Sequence, residues 1–389
     1  MISVRKQHSR ISARMLVTTA AVGLLAAGCA APAGDGAEPP AGAADAVDGA
    51  VCDGSAAVDL TERIADLSPE DREALLLEEA TAAKGGAIDF YTEINDPQTI
   101  VDPFTELYGD LQVNVYRAGS DQIRQRVLEE SDANFSGADL IEMDTLEMAI
   151  LDENKLLAPA VSPLIEEVSE AARFDNFIGD RLSYIVPGWN TDLVAPEDVP
   201  TSLEEYATFD GALALEGSDV FWFAGQVMNM ESEGMSRDDA VEVFRQIASN
   251  ASITSGHTTT TELVVAGQYA IAPNHYVHRL LELQGKGAPI AWSPVNIPVV
   301  AEITATSVHC LSDNPAGAML LQDFILSADG GQQVFVDEGR TPANESLAQQ
   351  TLGGEDIDPL IVDVGDVAAS YAEWASLWDE VVRGGGSEG

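Results

Sequence analysis

Apolar positions along this 389-residue chain recur with two periods. Short runs that are continuous or alternate every second residue, such as 87–91, 111–116, 138–141, 180–187 and 269–272, predict strands. Between them lie stretches with apolar residues three and four apart. These predict helices over about 69–83, 95–104, 121–130, 146–153, 236–249, 276–284, 314–326 and 363–382. Start signals sharpen several of them. In Ser68-Pro69-Glu70-Asp71, serine caps, proline takes the first helical position, and acids complement the helix dipole. Gly85-Gly86 then ends that helix. Ala212–Ala214 and Phe221–Phe223 open a second unit of the same kind, and a further helix is expected from Thr258 to before Gly267. Strand and helix in alternation imply an α/β fold with right-handed crossovers and a mostly parallel sheet.

The ends of the chain read differently. Arg5, Lys6, Arg10 and Arg14 precede an apolar stretch of about 13 residues (15–27), too short for a permanent span, and then Ala26-Ala27-Gly28-Cys29. This resembles the export signal and lipidation site of bacterial lipoproteins, with Cys29 as the acylated residue that anchors the protein to the outer face of the cell membrane. Residues 30–57 are mostly Ala, Gly, Pro and acids and read as a tether.

The charge adds a constraint. With 19 Lys or Arg against 65 Asp or Glu, the net charge is −46. Loss of the leader takes it to about −50, a field that repels nucleic acid and anionic membrane surface. Of the three cysteines, Cys29 is assigned to lipid. Cys52 and Cys310 remain as candidates for a disulfide, which an exported setting permits.

Several segments in order resemble the solute-binding proteins of bacterial ABC importers, above all the ferric-binding group. They are Ile88–Thr92, Gly119-Ser120-Asp121, Ala138-Asp139-Leu140, Asn154–Pro159, Asn190–Val194, Ala266–Ile271, Gly285–Pro289 and Phe324–Ser327. The resemblance implies the two-lobed type II periplasmic-binding-protein fold, with hinge strands and a ligand cleft. It implies lobe 1 over 59–182 and 294–345, lobe 2 over 183–293, and a C-terminal helical segment over 346–389, behind a leader (1–28) and a lipidated tether (29–58). The partners it implies are a small ligand and an ABC permease, with the protein a monomer.

The same resemblance selects site residues. Asn274-His275-Tyr276-Val277-His278 matches a stretch in which ferric-binding relatives use two tyrosinates. Here Tyr276 keeps one position and His275 takes the other, with His278 one helical turn away. Asn95 and Asp144 stand where the relatives carry His and Glu. The metal-ligand set is thus Asp144, His275 and Tyr276, with Fe3+ as cargo and no resident cofactor. Further contacts are expected from Tyr91, Thr92 and Glu93 after the first strand, Ser120 and Asp121 at a helix start, Asn190 at the lobe crossing, and Thr259 to Thr261 (Thr260 above all). Trp189, Trp222 and Trp292 offer stacking surfaces, and Arg340 offers an anion clamp. An organic solute (polyamine, phosphonate, thiamine-like compound or sugar) is the alternative cargo. An exported enzyme is the remote alternative: the chain has no Gly-x-Ser-x-Gly elbow between strand and helix (the one literal match is the terminal Gly385–Gly389), no His-Glu-x-x-His and no P-loop pattern.

Overall fold

The computed structural model describes residues 52–293, 297–352, 357, 359–360 and 362–385. The leader and Cys29 lie outside the described residues. The first half-sheet unit comprises α1 (Ala56–Ile64), α2 (Pro69–Ala82), β1 (Ala87–Thr92), α3 (Gln98–Leu107), β2 (Gln112–Arg117), α4 (Ser120–Asp132), β3 (Leu140–Asp144) and α5 (Thr145–Glu153). A 13-residue strand, β4 (Ile178–Asn190), leads into the second unit. That unit comprises α6 (Leu203–Ala207), β5 (Leu213–Glu216), α7 (Val220–Ser232), α8 (Arg237–Asn250), β6 (Ala251–Thr254), α9 (His257–Val265), β7 (Ile271–Tyr276), α10 (Val277–Gly285) and β8 (Ile290–Trp292). Strand β9 (Val300–Val308) returns to the first unit, followed by α11 (Pro315–Leu326), α12 (Gly331–Asp337), β10 (Thr341–Pro342) and α13 (Glu345–Ala348). Helices α14 (Val364–Ala369) and α15 (Tyr371–Gly385) end the fold.

The main strand order is β2-β1-β3-β9-β4-β7-β5-β6. The outer trios pair in parallel, β2-β1-β3 on one side and β7-β5-β6 on the other. The two central strands run antiparallel to each other and to their outer neighbours. Two α/β lobes therefore share β4 and β9 as crossing strands, the two-lobed α/β architecture expected above. In such sheets ligands sit beyond the carboxyl ends of strands, where the strand order reverses. The ends of β1, β3 and β5 all face that point.

Four features differ from the sequence reading. The sheet is mixed rather than mostly parallel, because the crossing strands and the short β8 and β10 pair antiparallel. Helix α1 starts inside the segment assigned to the tether, because Ser55 caps it by accepting from the Val58 amide and Leu60 and Ile64 are buried beneath it. The expected helix over 363–382 is two helices, broken at Ser370. The C-terminal segment belongs to both lobes. Helix α14 packs on α5 of lobe 1, and α15 packs on α7 and α8 of lobe 2.

Cys52 and Cys310 are joined, with their Cα atoms 5.1 Å apart across 258 residues of sequence. The bridge ties the start of the fold to the end of β9. Closing so long a loop restricts the unfolded chain. Reduction is therefore expected to cost roughly 2–5 kcal/mol and to lower the melting temperature. An unchanged melting curve with two free thiols titrated would contradict this. Among the described residues no helix is long and apolar enough to cross a membrane.

Candidate functional site

The ends of the strands bring charged side chains to the lobe junction from every side. Arg181 on β4 is buried and forks between two carboxylates: Nη1 donates to Glu142 Oε1 at 2.5 Å and Nη2 to Glu93 Oε1 at 2.7 Å. Asp180 Oδ1 lies 3.3 Å from the same Nη1. Glu142 Oε2 also accepts from the Thr92 hydroxyl and from the Glu93 amide at 3.0 Å. The Ser120 hydroxyl lies 2.7 Å from Glu93 Oε2 and 3.0 Å from Asp144 Oδ2. Thr304 on β9 reaches the same two carboxylates at 3.4 Å. Burial, then the charges of Glu93 and Glu302, hold the Asp144 carboxyl well above the ordinary carboxylate range, despite Arg181 and the Ser120 hydroxyl.

Lobe 2 and the hinge supply the facing wall. Tyr276 donates its phenol proton to Glu302 Oε2 at 2.6 Å, and its ring lies 4.0 Å from that of His257 and 5.4 Å from that of His278. His257 Nδ1–H points at the Asn274 carbonyl, 3.2 Å away, while Nε2 faces Asp219 Oδ2 at 3.3 Å and Glu216 Oε2 at 3.9 Å. Both nitrogens thus face acceptors, which suits the imidazolium. Burial opposes that charge, but Asp219, Glu216 and Glu302 override it and raise the His257 pKa to about 9. Burial and the Asp219 charge push Glu302 up to about 7.

These shifts set a pH dependence. Both groups bind protons more tightly folded than unfolded, so their contributions to stability fade as pH rises, for Glu302 through about 7 and for His257 from about 6.5 to about 9. Thermal melts are expected to show falling stability from pH 6.5 to 9. A flat profile there would contradict the His257–Asp219 pairing.

Between the walls lies a cavity of about 110 Å³. It is lined by Asp144 and Glu147 from lobe 1, Asp219 from lobe 2, Glu302 from the hinge and Tyr371 from the C-terminal segment, and none of its lining residues is basic. Asp219 Oδ1 caps α7 by accepting from the Trp222 amide at 2.9 Å, and Oδ2 has no hydrogen bond beyond its ion pair with His257. Glu216, Asp219 and His257 present ligand atoms within 4.8 Å of one another. Glu216, however, is already held by the Ser218 amide and hydroxyl and the Gly256 amide. Glu216 and His257 thus form a salt-bridged wall with Asp219, and the carboxylates that face the cavity are Asp144, Glu147, Asp219 and Glu302.

The residues expected from sequence fall into two groups. Ser120, Asp144, Thr92, Glu93 and Tyr276 stand at this junction; Tyr276 stands behind Glu302, outside the cavity lining. His278 stands there too, its ring 5.4 Å from that of Tyr276, and Arg340 is near enough to feel the charges of Arg181, Glu93 and Glu142; the rest do not join them. His275 points to the opposite face of β7 from Asn274 and Tyr276, because β7 continues to Tyr276 and side chains alternate along a strand. Its Nδ1 lies 2.9 Å from the Thr261 hydroxyl, and it packs against Gly188, where an added Cβ would sit 2.8 Å from the ring. Burial lowers its pKa to about 3. His257, from the start of α9, occupies the place beside Tyr276 instead. Tyr91 bonds Glu130 and lies under Arg126, and Asn95 is exposed and accepts from Arg117 at 2.5 Å. Asn190 is consumed by the Val264 and Val265 carbonyls and the Asp192 amide. Thr260 bonds Thr254 and the Gly256 carbonyl. Trp222 is core, stacked edge-on to Phe244.

The site residues absent from the sequence reading are Arg181, Asp219, His257 and Glu302. Arg181 had a signal, a lone Asp-Arg pair inside an apolar strand run, which in a buried strand demands partners.

No family model and no curated protein matches the sequence. Solved structures do. The chain superposes on Trichodesmium FutA (IdiA), in complex with iron and citrate, with a TM-score of 0.63 at 20% identity, covering 76% of this chain and 99% of that one. The chain has the two-lobed periplasmic-binding-protein fold. Iron-bound HitA from Pseudomonas aeruginosa matches with a TM-score of 0.62 at 17% identity, over 76% and 99% of the two chains. MotA from Agrobacterium tumefaciens, in complex with glucopine, matches with a TM-score of 0.60 at 11% identity, over the same shares. At these identities the likeness establishes this binding-protein fold, whose solved members hold both metal and organic ligands.

Proposed function

We propose that this chain is the exported solute-capturing subunit of an ABC importer and that its cargo is a small cation, with ferric iron the first candidate. Lipid anchoring at Cys29 and hand-over to a membrane permease are part of the same reading. The observation that carries it is the cavity: carboxylates from both lobes and the hinge converge on about 110 Å³ with no basic residue in the lining. Carboxylate and phenolate oxygens suit hard cations. The volume is well below the ~300 Å³ at which pockets for drug-sized molecules begin. A sugar exceeds this volume, and a phosphonate meets like charge. A small organic ammonium is the second reading, because carboxylates without a base suit it too. No residue is assigned a catalytic role.

Titrating the full chain in mild detergent with ferric nitrilotriacetate separates the readings. Iron binding on the carboxylates is expected to saturate at one equivalent and to raise the melting temperature, with at least a tenfold loss of affinity in Asp144→Asn; a visible charge-transfer band lost in Tyr276→Phe would show that the phenol leaves Glu302 for the metal. No saturable binding and no protection against melting would sink the ferric reading. Stabilisation by small amines alone would favour the second.

A further inference from the structure

The C-terminal helix pair has a position that the capture role leaves unused. Helix α15 is held firmly by lobe 2. Trp374, Trp378 and Val381 are buried, Trp378 stacks on Phe223 at 4.7 Å, and Arg237 and Arg245 of α8 reach Glu373 and Glu380. Helix α14, one residue earlier, sits on α5 of lobe 1 through Val364, Val367 and Ala368. This second seat is the looser one. A cavity of about 510 Å³ opens beside it, lined in part by Phe174, Phe177, Ile303, Val362 and Val364.

At the joint stands Tyr371. It starts α15, so it moves with lobe 2, yet the charged groups nearest its ring, Arg124 and Glu147, are on lobe 1. The Arg124 guanidinium lies 5.7 Å from its ring centroid, and Arg124 Nε pairs with Glu147 Oε2 at 2.8 Å. Tyr371 lines the small cavity together with Asp144, Glu147, Asp219 and Glu302. Opening the cleft by a hinge in β4 and β9 would have to part α14 from α5 and Tyr371 from Arg124.

We propose that α14–α15 is a clasp across the cleft and that Tyr371 is a site residue which seals the cation cavity. On opening, α15 stays with lobe 2, α14 lifts from lobe 1, and the Tyr371 ring leaves the mouth of the cavity. The seal limits cargo to ions that fit behind the ring and slows their escape. The cargo clause rests on the cation reading above; the clasp itself does not.

The test is hydrogen exchange on the full chain without any cation, comparing wild type, Tyr371→Ala and Tyr371→Phe. The alanine variant is expected to speed exchange at least tenfold at 144–147 and 217–221, on opposite lobes, and along α14, while α15 stays protected. The phenylalanine variant, which keeps the ring, is expected to match wild type. Faster exchange confined to 364–375, or none, would overturn the clasp. A second arm follows ferric release into excess citrate, expected at least fivefold faster in the alanine variant; an unchanged rate would overturn the seal. If iron does not bind wild type, the ferric reading fails, and the exchange arm still decides the clasp.

Discussion

Arg181→Ala is expected to destabilise the folded protein by about 3–5 kcal/mol, the range for removing one partner of a buried ion pair. The arginine is buried between Glu142 and Asp180, both fully buried, and the partly buried Glu93. Removing it leaves carboxylates packed together with only the more distant Arg340 as countercharge. Urea denaturation would measure the loss, and a change under 1 kcal/mol would contradict the role given to this residue. Arg181→Lys is expected to fall between, because an ammonium cannot fork to Glu93 and Glu142 at once. Arg181 ties the crossing strand to lobe 1. It stands on a crossing strand and binds carboxylates carried by β3 and by the loop after β1.

The second large effect has opposite signs for stability and binding. Asp144 is held above the ordinary carboxylate range by burial and by its acidic neighbours. Neutralising it with Asp144→Asn removes a charge the empty protein holds at a cost. The variant is therefore expected to melt at or above the wild-type temperature at pH 8. The same change removes an anionic ligand from the cavity. A hydrogen bond or contact to a charged group contributes about 1.5–3 kcal/mol, so cation affinity is expected to fall roughly 10- to 150-fold. Calorimetric titration and melting of one sample read both. A variant that loses stability and affinity together would mean that Asp144 is structural. Such opposition is the mark of a site whose electrostatics are kept for binding at the expense of stability.

The legible part of this fold was the part with local cause. Helix α2 announced itself through Ser68 and Pro69, α8 through Ser236, and β1 through its apolar run. Strand β9 is misleading. Ala301 to Thr306 alternate apolar with polar, the pattern of a half-buried strand, yet β9 is buried almost throughout while carrying Glu302, Thr304, Thr306 and Ser307. Its polar groups are satisfied only by residues far away in sequence, as when Gln322 donates to the Thr306 carbonyl at 3.1 Å.

The site divides along the same line. Asp144 and Tyr276 were reached through a family resemblance in local segments, and Ser120 through its place at a helix start. Asp219, His257 and Glu302 lie in stretches with no shared motif, and only the order of the strands brings them together. His275 was misplaced by a single step of register. Reading 274–278 as a helix-start loop put both His275 and Tyr276 at the cleft, whereas an extended chain turns alternate residues to opposite faces.

The central claim is that cargo sits between the lobes on carboxylate oxygens. The most direct test is a crystal structure of the ferric-loaded protein with an anomalous-difference map at the iron edge. One peak is expected, in the cavity bounded by Asp144, Asp219, Glu302 and Tyr371. A peak elsewhere, or an empty cavity at saturating iron, would contradict the claim.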